Sequence, residues 1–471
     1  MKKYLYNLIY VVANILFTVA SFTYTNWILG PDLIGKAQFI LTFAQYFCLI
    51  AALGIPIYGV VEVAKAAGNK ERLSKLFSEL VVINLIATLV MLVIYLLIIS
   101  IFTTFHDDYS LYLIAGGLVF IGFTTIEWLY VGLEQFRFLA VRTLVIRSVY
   151  MVALVALVRS EADLLIYLIL YSLSIFATNI WYLFNLPGKV RFWFRNLDLK
   201  KHIPALMLLF STTLTISFYT IVDVLLVGFL AGKTEVGLYT AAIKLNKLVI
   251  PVIGSLATVL IPGISRSIAD RNDGALKKLI DNSFAFICLL GIPVSAGMLV
   301  FAPEIMHVFT GPKFAEAIPA MQITAFLAFF IGLGNLFGLQ LLIPGGFRKQ
   351  YMIATLIGVV ISLSLNFLLI GRYGHTGAAI AMMATEITVS AVCWYFVRKR
   401  YPINFNWMLV LQTIGICLLF VPVAWLLRSW DTIPLVRLIF AVAMCAGLYF
   451  AIQIFVLREK HILEIIQRKW R

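Results

Sequence analysis

Apolar residues run along this chain in blocks of about twenty, separated by short polar stretches, from the first residues almost to the last. A bilayer's hydrocarbon core of about 30 Å takes about 20 residues of helix. The blocks therefore predict transmembrane helices over residues 8–29, 37–57, 80–102, 111–133, 144–158, 164–186 and 203–230. They continue over 236–261, 284–301, 318–343, 352–370, 377–397, 407–427 and 435–456, fourteen spans in all. The shortest, 144–158, opens beside Arg142 and Arg147. Helix is the conformation forced by the pattern, because an open strand leaves backbone groups unsatisfied in lipid. A barrel would alternate polar and apolar residues in short segments. The opening block is too long for a signal sequence and lacks a small-residue cleavage site, so it reads as the first span.

Composition agrees. The chain is 62% hydrophobic and 13% charged, with a mean hydropathy of +0.99. A soluble core has no room for that surplus of apolar residues. The net charge of +15 does not point to nucleic acid, because the basic residues sit in short runs between apolar blocks. With the amino terminus in the cytoplasm, the cytoplasmic loops and termini carry 28 Lys and Arg and the opposite loops carry 7. That bias predicts a multi-pass protein of the cell inner (plasma) membrane with both termini cytoplasmic. Cys48, Cys288, Cys393, Cys417 and Cys445 all lie in apolar blocks with no metal-ligand spacing, and read as packing residues. Five histidines are too scattered for a metal site, and no Walker loop, HExxH or nucleophile elbow is present. The chain thus reads as a non-enzymatic transporter without metal or cofactor.

An internal repeat is aligned without a gap at an offset of 202 residues. Gly30 and Gly35 match Gly232 and Gly237, and Lys75 and Glu79 match Lys277 and Asp281. An even number of spans, six, separates the copies, so both insert in the same sense. The division is 1–195 for an N-lobe of six spans, 196–402 for a C-lobe of six, and 403–471 for a final helix pair and basic tail.

At this point the chain resembles the oligosaccharide flippases of polysaccharide biosynthesis, within the wider group of multidrug and lipid II exporters. The carrying residues are Leu29-Gly30-Pro31 to Gly35, Gly54-Ile55-Pro56 to Glu62-Val63-Ala64-Lys65, and Lys75-Leu76-Phe77-Ser78-Glu79. Asp223 to Gly228 and Gly237 to Leu245 complete the set. Where the family often has Arg before the Glu of the Glu62-Val63-Ala64-Lys65 stretch, this chain has Val61. The resemblance implies two six-helix lobes around a central cleft that opens alternately to each side. It further implies an undecaprenyl-diphosphate-linked oligosaccharide as substrate.

Polar residues at membrane depth mark where function resides. In the first span Asn7, Asn14, Thr18, Ser21 and Thr25 fall within about 60° of arc at 100° per residue. The seventh span carries Thr212, Thr215, Tyr219 and Asp223, with Asp223 aligned to Ser21. Gln38, Thr42 and Gln45 share a face of the second span, and their repeat mates are Thr240, Lys244 and Lys247. These stripes read as cleft-lining, with helix–helix adhesion as the alternative for the hydroxyls. For Asp223, Lys244 and Lys247 the cleft is favoured, since a Lys at the bilayer centre costs about 3 kcal/mol. Glu127, Glu386 and Asp223 are candidates for proton coupling, and a neutral, hydrogen-bonded Glu is the other reading. Tyr351, Thr355, Ser362 and Asn366 share a face of the eleventh span and read as packing, while Pro56, Pro251, Pro293 and Pro344 are candidate kinks.

The expected function is flipping of the lipid-linked oligosaccharide from the cytoplasmic to the outer face, with the cations holding the diphosphate. Polysaccharide polymerase and glycosyltransferases are the expected partners. The rivals are a cation-coupled small-molecule or drug exporter of the same fold, a lipid II flippase, and a membrane-embedded polymerase or glycosyltransferase, which would need a larger outer loop. The topology is checked by cysteine labelling: Lys70→Cys and Arg195→Cys should react only from the cytoplasmic side, and labelling from outside in intact cells would contradict it.

Overall fold

A continuous helix of 51 residues would be about 77 Å long, more than twice the hydrocarbon thickness. The helix Lys2–Ala52 therefore has to break, and it does so at Gly30 (φ 72°, ψ 177°). Its repeat mate Gly232 stands just before the helix Lys233–Lys247 with nearly the same backbone (φ 102°, ψ 172°). Only glycine enters this region without steric penalty, so the two matched glycines serve the same end of two equivalent helix pairs. The helix Arg348–Arg398, also 51 residues, breaks at Gly374 (φ 53°, ψ −133°).

The structure, a computed structural model, describes residues 2–188, 190–401 and 405–457. Lys189 and the basic tail Arg458, Lys460, Arg468, Lys469 and Arg471 lie outside the described residues, as do the side chains of Lys2, Lys3, Asn7, Thr212 and Tyr219. Among the described residues every regular element is helical. Eleven segments are long and apolar enough to cross a membrane. Two of these are of double length and divide at Gly30 and Gly374. The helices Ile203–Thr220 and Val222–Leu230, interrupted at Ile221, supply one more. The protein is thus an all-helical, multi-pass membrane protein of about fourteen spans.

Its surface is inside-out relative to a soluble protein. The third span, Lys70–Ile101, exposes Leu89, Val93, Leu97 and Ile101 at intervals of four and buries Asn84 and Thr88. Hydrocarbon rewards that arrangement and water would not.

By its contacts the chain forms two compact units, Met1–Leu225 and Leu226–Arg471. In the first, the loop after the sixth span is fastened to the start of the third. The Arg191 and Trp193 amides donate to the hydroxyls of Ser74 and Ser78 at 3.1 and 2.7 Å. The Asp198 amide donates to Glu79 at 2.8 Å. Lys201 Nζ and His202 Nε2 stand 2.7 and 2.9 Å from the same carboxylate, and Tyr58 meets the other nitrogen of His202 at 2.8 Å. Glu79 is fully buried, and this set of partners is what allows it to be. In the second unit Glu235 accepts from the His375 amide at 2.7 Å and lies 2.6 Å from its Nδ1, while Nε2 meets the Glu316 carbonyl at 2.9 Å. Arg428 grips Glu304 through Nε and a terminal nitrogen at 2.7 and 3.2 Å.

Several spans differ in detail from the hydropathy pattern. The fifth runs Phe136–Leu157 rather than 144–158, which brings Arg142 and Arg147 into the helix and out of the loop count. Fifteen residues make only about 22 Å of helix, so a membrane-crossing segment had to extend into its flank. The fourth is interrupted between Tyr109–Phe120 and Glu127–Gly132. The second ends at Ala52, and Pro56 opens a separate helix, Ile55–Ala66. The eighth breaks after Lys247, where Pro251 starts Ile250–Ala269. Proline at a helix's first turn loses no hydrogen bond, so both prolines begin helices instead of bending them.

The helix Ile55–Ala66 packs against the fourth span through Gly59, where an added Cβ would lie 2.6 Å from the Trp128 ring. Gly59→Ala should destabilise the protein by about 1–3 kcal/mol, read as a lower Tm in detergent. Gly68→Ala, where nothing lies within 4 Å, should leave Tm unchanged, and equal Tm values for the two would contradict this packing.

Candidate functional site

The interruption in the fourth span builds a polar site inside the first unit. The helix tightens into a 3-10 turn over Ile121–Thr124, breaks at Thr125 and Ile126, and restarts at Glu127. Backbone groups freed at membrane depth need partners within the protein. The Ile121 carbonyl accepts from Thr124 Oγ1 at 2.6 Å and from Asn179 Nδ2 of the sixth span at 3.3 Å. The Thr125 amide donates to the Gly122 carbonyl at 3.1 Å and that of Ile126 to Thr124 at 2.9 Å. The break is thereby a fixed feature, and it presents Glu127 toward three other spans.

Around the Glu127 carboxylate the donors converge. Tyr10 of the first span donates to Oε1 at 2.6 Å and Tyr182 of the sixth to Oε2 at 2.8 Å. A guanidinium nitrogen of Arg142, on the fifth span, stands 3.9 Å from Oε2. The guanidinium lies over the Tyr182 ring at 4.5 Å and donates to Thr143 Oγ1 at 3.0 Å. Arg142 is 6% exposed and Glu127 37% exposed by side chain, so the cation is sealed in and the carboxylate opens outward. Both oxygens of Glu127 thus accept hydrogen bonds from neighbouring spans. Tyr10, Arg142 and Tyr182 are absent from the polar residues that the hydropathy pattern singles out. Tyr10 continues the first span's stripe, one turn before Asn14, whose side chain donates to the Tyr10 carbonyl at 2.9 Å. It counts as apolar in a hydropathy sum, and Arg142 counts as a loop charge. The signal that would have found Arg142 is the shortness of the span beside it.

The remaining stripe residues fall at several places. Asn14, Ser21, Gln38 and Thr215 are half-buried, Thr18 and Gln45 exposed, and Thr25 and Thr42 buried. Ser21 and Thr25 bond back to the first span's own carbonyls, at 3.2 and 2.9 Å. Thr215 does the same within the seventh span, donating to Ser211 at 2.8 Å. Asp223, 1% exposed, opens the helix Val222–Leu230 directly after the Ile221 break. The side chain of Tyr219, the other member of that stripe, lies outside the described residues.

In the second unit Asn246 orients the eighth span. It is buried and donates to the Met321 carbonyl at 2.8 Å and Thr324 Oγ1 at 2.7 Å. Two residues on a helix point about 200° apart, so Lys244 is turned to the opposite, exposed face and Lys247 is half-buried beside it. Glu386 is buried on the twelfth span. Thr355, Ser362 and Asn366 are buried in a row on the eleventh, with Asn366 donating to Ser362 at 3.2 Å, as packing requires.

The geometry of the Glu127 site predicts coupling between its members. In a double-mutant cycle, Glu127→Ala and Tyr182→Phe should be non-additive by about 1–3 kcal/mol in unfolding free energy. Additive effects would show that the 2.8 Å contact carries no energy.

Comparison with known proteins follows the same architecture. Residues 1–268 match the polysaccharide biosynthesis protein family model, and 209–368 match the MatE model. A putative O-antigen transporter of Escherichia coli strain K12 is 24% identical over 82% of this chain and 94% of its own length. Among solved structures, the lipid II flippase MurJ in an inward closed conformation superposes with a TM-score of 0.75 at 15% identity, over 96% of this chain and 99% of that one. An inward-facing multidrug resistance MATE transporter superposes at 0.64 with 16% identity, over 82% and 94%. At those identities the likeness is one of fold. The family model covers more than half of the chain, and the chain belongs to the polysaccharide biosynthesis protein family.

Proposed function

We propose that this protein is a flippase that carries undecaprenyl-diphosphate-linked oligosaccharide from the cytoplasmic to the outer face of the inner membrane. The observation that carries the reading is the similarity, over 82% of this chain and 94% of the other, to a protein named a putative O-antigen transporter. A Haloferax volcanii protein named a probable low-salt glycan biosynthesis flippase, 28% identical over 40% of each chain, supports the same class of cargo. In this reading the repeat yields an N-lobe of residues 1–195 and a C-lobe of 196–402 that rock about a cleft, with 403–471 as an accessory pair and tail. The sugar and diphosphate travel through the cleft while the polyprenyl chain stays in lipid.

Lys244 and Lys247 are the proposed cations for the diphosphate. Lys247 lies about 16 Å below the outer edge of its span, near the bilayer centre, and a Lys stem does not reach headgroups from there. Asp223, Asn14, Ser21, Gln38, Thr42, Gln45, Thr215 and Tyr219 are the proposed polar lining. Proton coupling through Glu127, Glu386 or Asp223 would supply the drive that an ATPase domain supplies elsewhere. Both termini face the cytoplasm, and polymerase and glycosyltransferases act before and after the flipping step. The MATE fold likeness keeps a cation-coupled exporter as the second reading.

The test is genetic and biochemical. A deletion strain should accumulate lipid-linked oligosaccharide on the cytoplasmic leaflet, and the wild-type gene should clear it. Lys247→Ala should reduce clearance about tenfold or more at equal protein level, and Asp223→Asn should impair it with insertion intact. Normal surface polysaccharide in the deletion strain would overturn the reading, and normal clearance by Lys247→Ala would remove that lysine from it.

A further inference from the structure

Arg142 brings a permanent positive charge into the fifth span, about 9 Å along from Phe136, and the structure leaves much of its bonding capacity unused. A guanidinium carries five N–H donors and is never neutral in a protein. One donates to Thr143 Oγ1. Nε is buried and has no hydrogen-bond partner. The nitrogen nearest to Glu127 stands at 3.9 Å, beyond hydrogen-bonding distance. A buried cation is ordinarily paired closely and bonded fully, because one left short of acceptors is strongly destabilising. The Glu127 carboxylate is instead satisfied by two phenols, at 2.6 and 2.8 Å.

Tyr10, Arg142 and Tyr182 come from three different spans: the phenols donate to the two oxygens of the Glu127 carboxylate, and the Arg142 terminal nitrogen that donates to Thr143 stands 3.9 Å from one of them. Two hydroxyls and a guanidinium around one carboxylate match the needs of a tetrahedral oxyanion, which accepts several charge-assisted hydrogen bonds at once. Glu127 supplies only two oxygens there. It arrives on a six-residue helix just past the Ile121–Thr125 interruption, and its side chain is 37% exposed, so it has space to move into. A phosphoryl group is larger and more highly charged, and one held by the phenols can extend an oxygen toward the guanidinium nitrogen that stands 3.9 Å from the carboxylate.

We infer that Tyr10, Arg142 and Tyr182 form a seat for a phosphoryl oxyanion, which Glu127 fills as a tethered occupant until the ligand displaces it. Arg142 thereby stays near an anion at every stage, and the seat is closed to weak anions that fail to compete with Glu127. The assignment of the ligand rests on the flippase reading: there the phosphoryl group belongs to the lipid-linked diphosphate. A free phosphate or pyrophosphate offers the same oxygens, and the experiment separates the two sources.

Pyrophosphate is titrated into the purified full-length protein in detergent, with binding read by calorimetry. Glu127→Gln keeps the side-chain shape and removes the competing charge, and should tighten binding about tenfold. Arg142→Gln on that background should abolish it. Tyr182→Phe keeps the ring beneath Arg142 and removes one donor, and should weaken wild-type binding several-fold, which tests the seat even where Glu127→Gln does not fold. Binding no tighter in Glu127→Gln than in wild type, or unaffected by Arg142→Gln, would overturn the seat. In nanodiscs, undecaprenyl diphosphate should compete with pyrophosphate in an Arg142-dependent manner. Arg142-dependent pyrophosphate binding without such competition would uphold the seat and overturn the lipid-linked ligand.

Discussion

At membrane depth there is no water to take a hydrogen bond, so every polar group in the spans has to find its partner inside the protein. That constraint organises the structure from the backbone upward. It makes each crossing a helix, and it requires the interruption of the fourth span to be sealed by Asn179 and Thr124. It also gathers isolated charges into clusters: Glu79 with Lys201 and His202, Glu235 with His375, Glu304 with Arg428. A cluster of this kind fixes the elements that supply it, because removing one member strands the others. The loop that follows the sixth span is held by Glu79 in this way and by apolar packing as well, with Val190 in the buried core and the Phe192 ring 5.3 Å from that of Phe77.

The Glu127 site obeys the constraint incompletely, because its arginine is left short of acceptors. Glu79, Glu235 and Glu304 each meet a cation or an imidazole within 3 Å. Here the phenols satisfy the carboxylate while Arg142 remains at 3.9 Å with Nε unpartnered. A protein held together only for stability would replace such an arginine with an apolar residue at little loss. Its retention among Tyr10, Thr143 and Tyr182 makes sense when the site also serves a second, transient anion.

Much of the fold was legible from periodicity and charge, because hydrocarbon imposes a length and a composition on every crossing. The match of Gly30 with Gly232 carried real backbone information: both take the same left-handed-side conformation ahead of a helix. The site was less legible. Hydropathy sums score tyrosine as apolar, so Tyr10 and Tyr182 vanish into their spans. Arg142 was masked by its neighbourhood of basic loop residues, and only the length of the fifth span betrays that it lies within the helix. Which stripe residues face one another depends on the rotation of each helix, set by long-range bonds such as Asn246 to Thr324. No local pattern encodes those.

The central claim is that this chain moves a lipid-linked oligosaccharide headgroup across the bilayer. The most direct test places purified protein in liposomes carrying undecaprenyl-diphosphate oligosaccharide in the inner leaflet, with a glycosidase added outside. The account predicts that the enclosed sugar becomes susceptible to the enzyme when the protein is present and stays protected in protein-free liposomes. Sugar that remains protected in sealed liposomes with folded protein, under imposed proton and sodium gradients and with none, would contradict it.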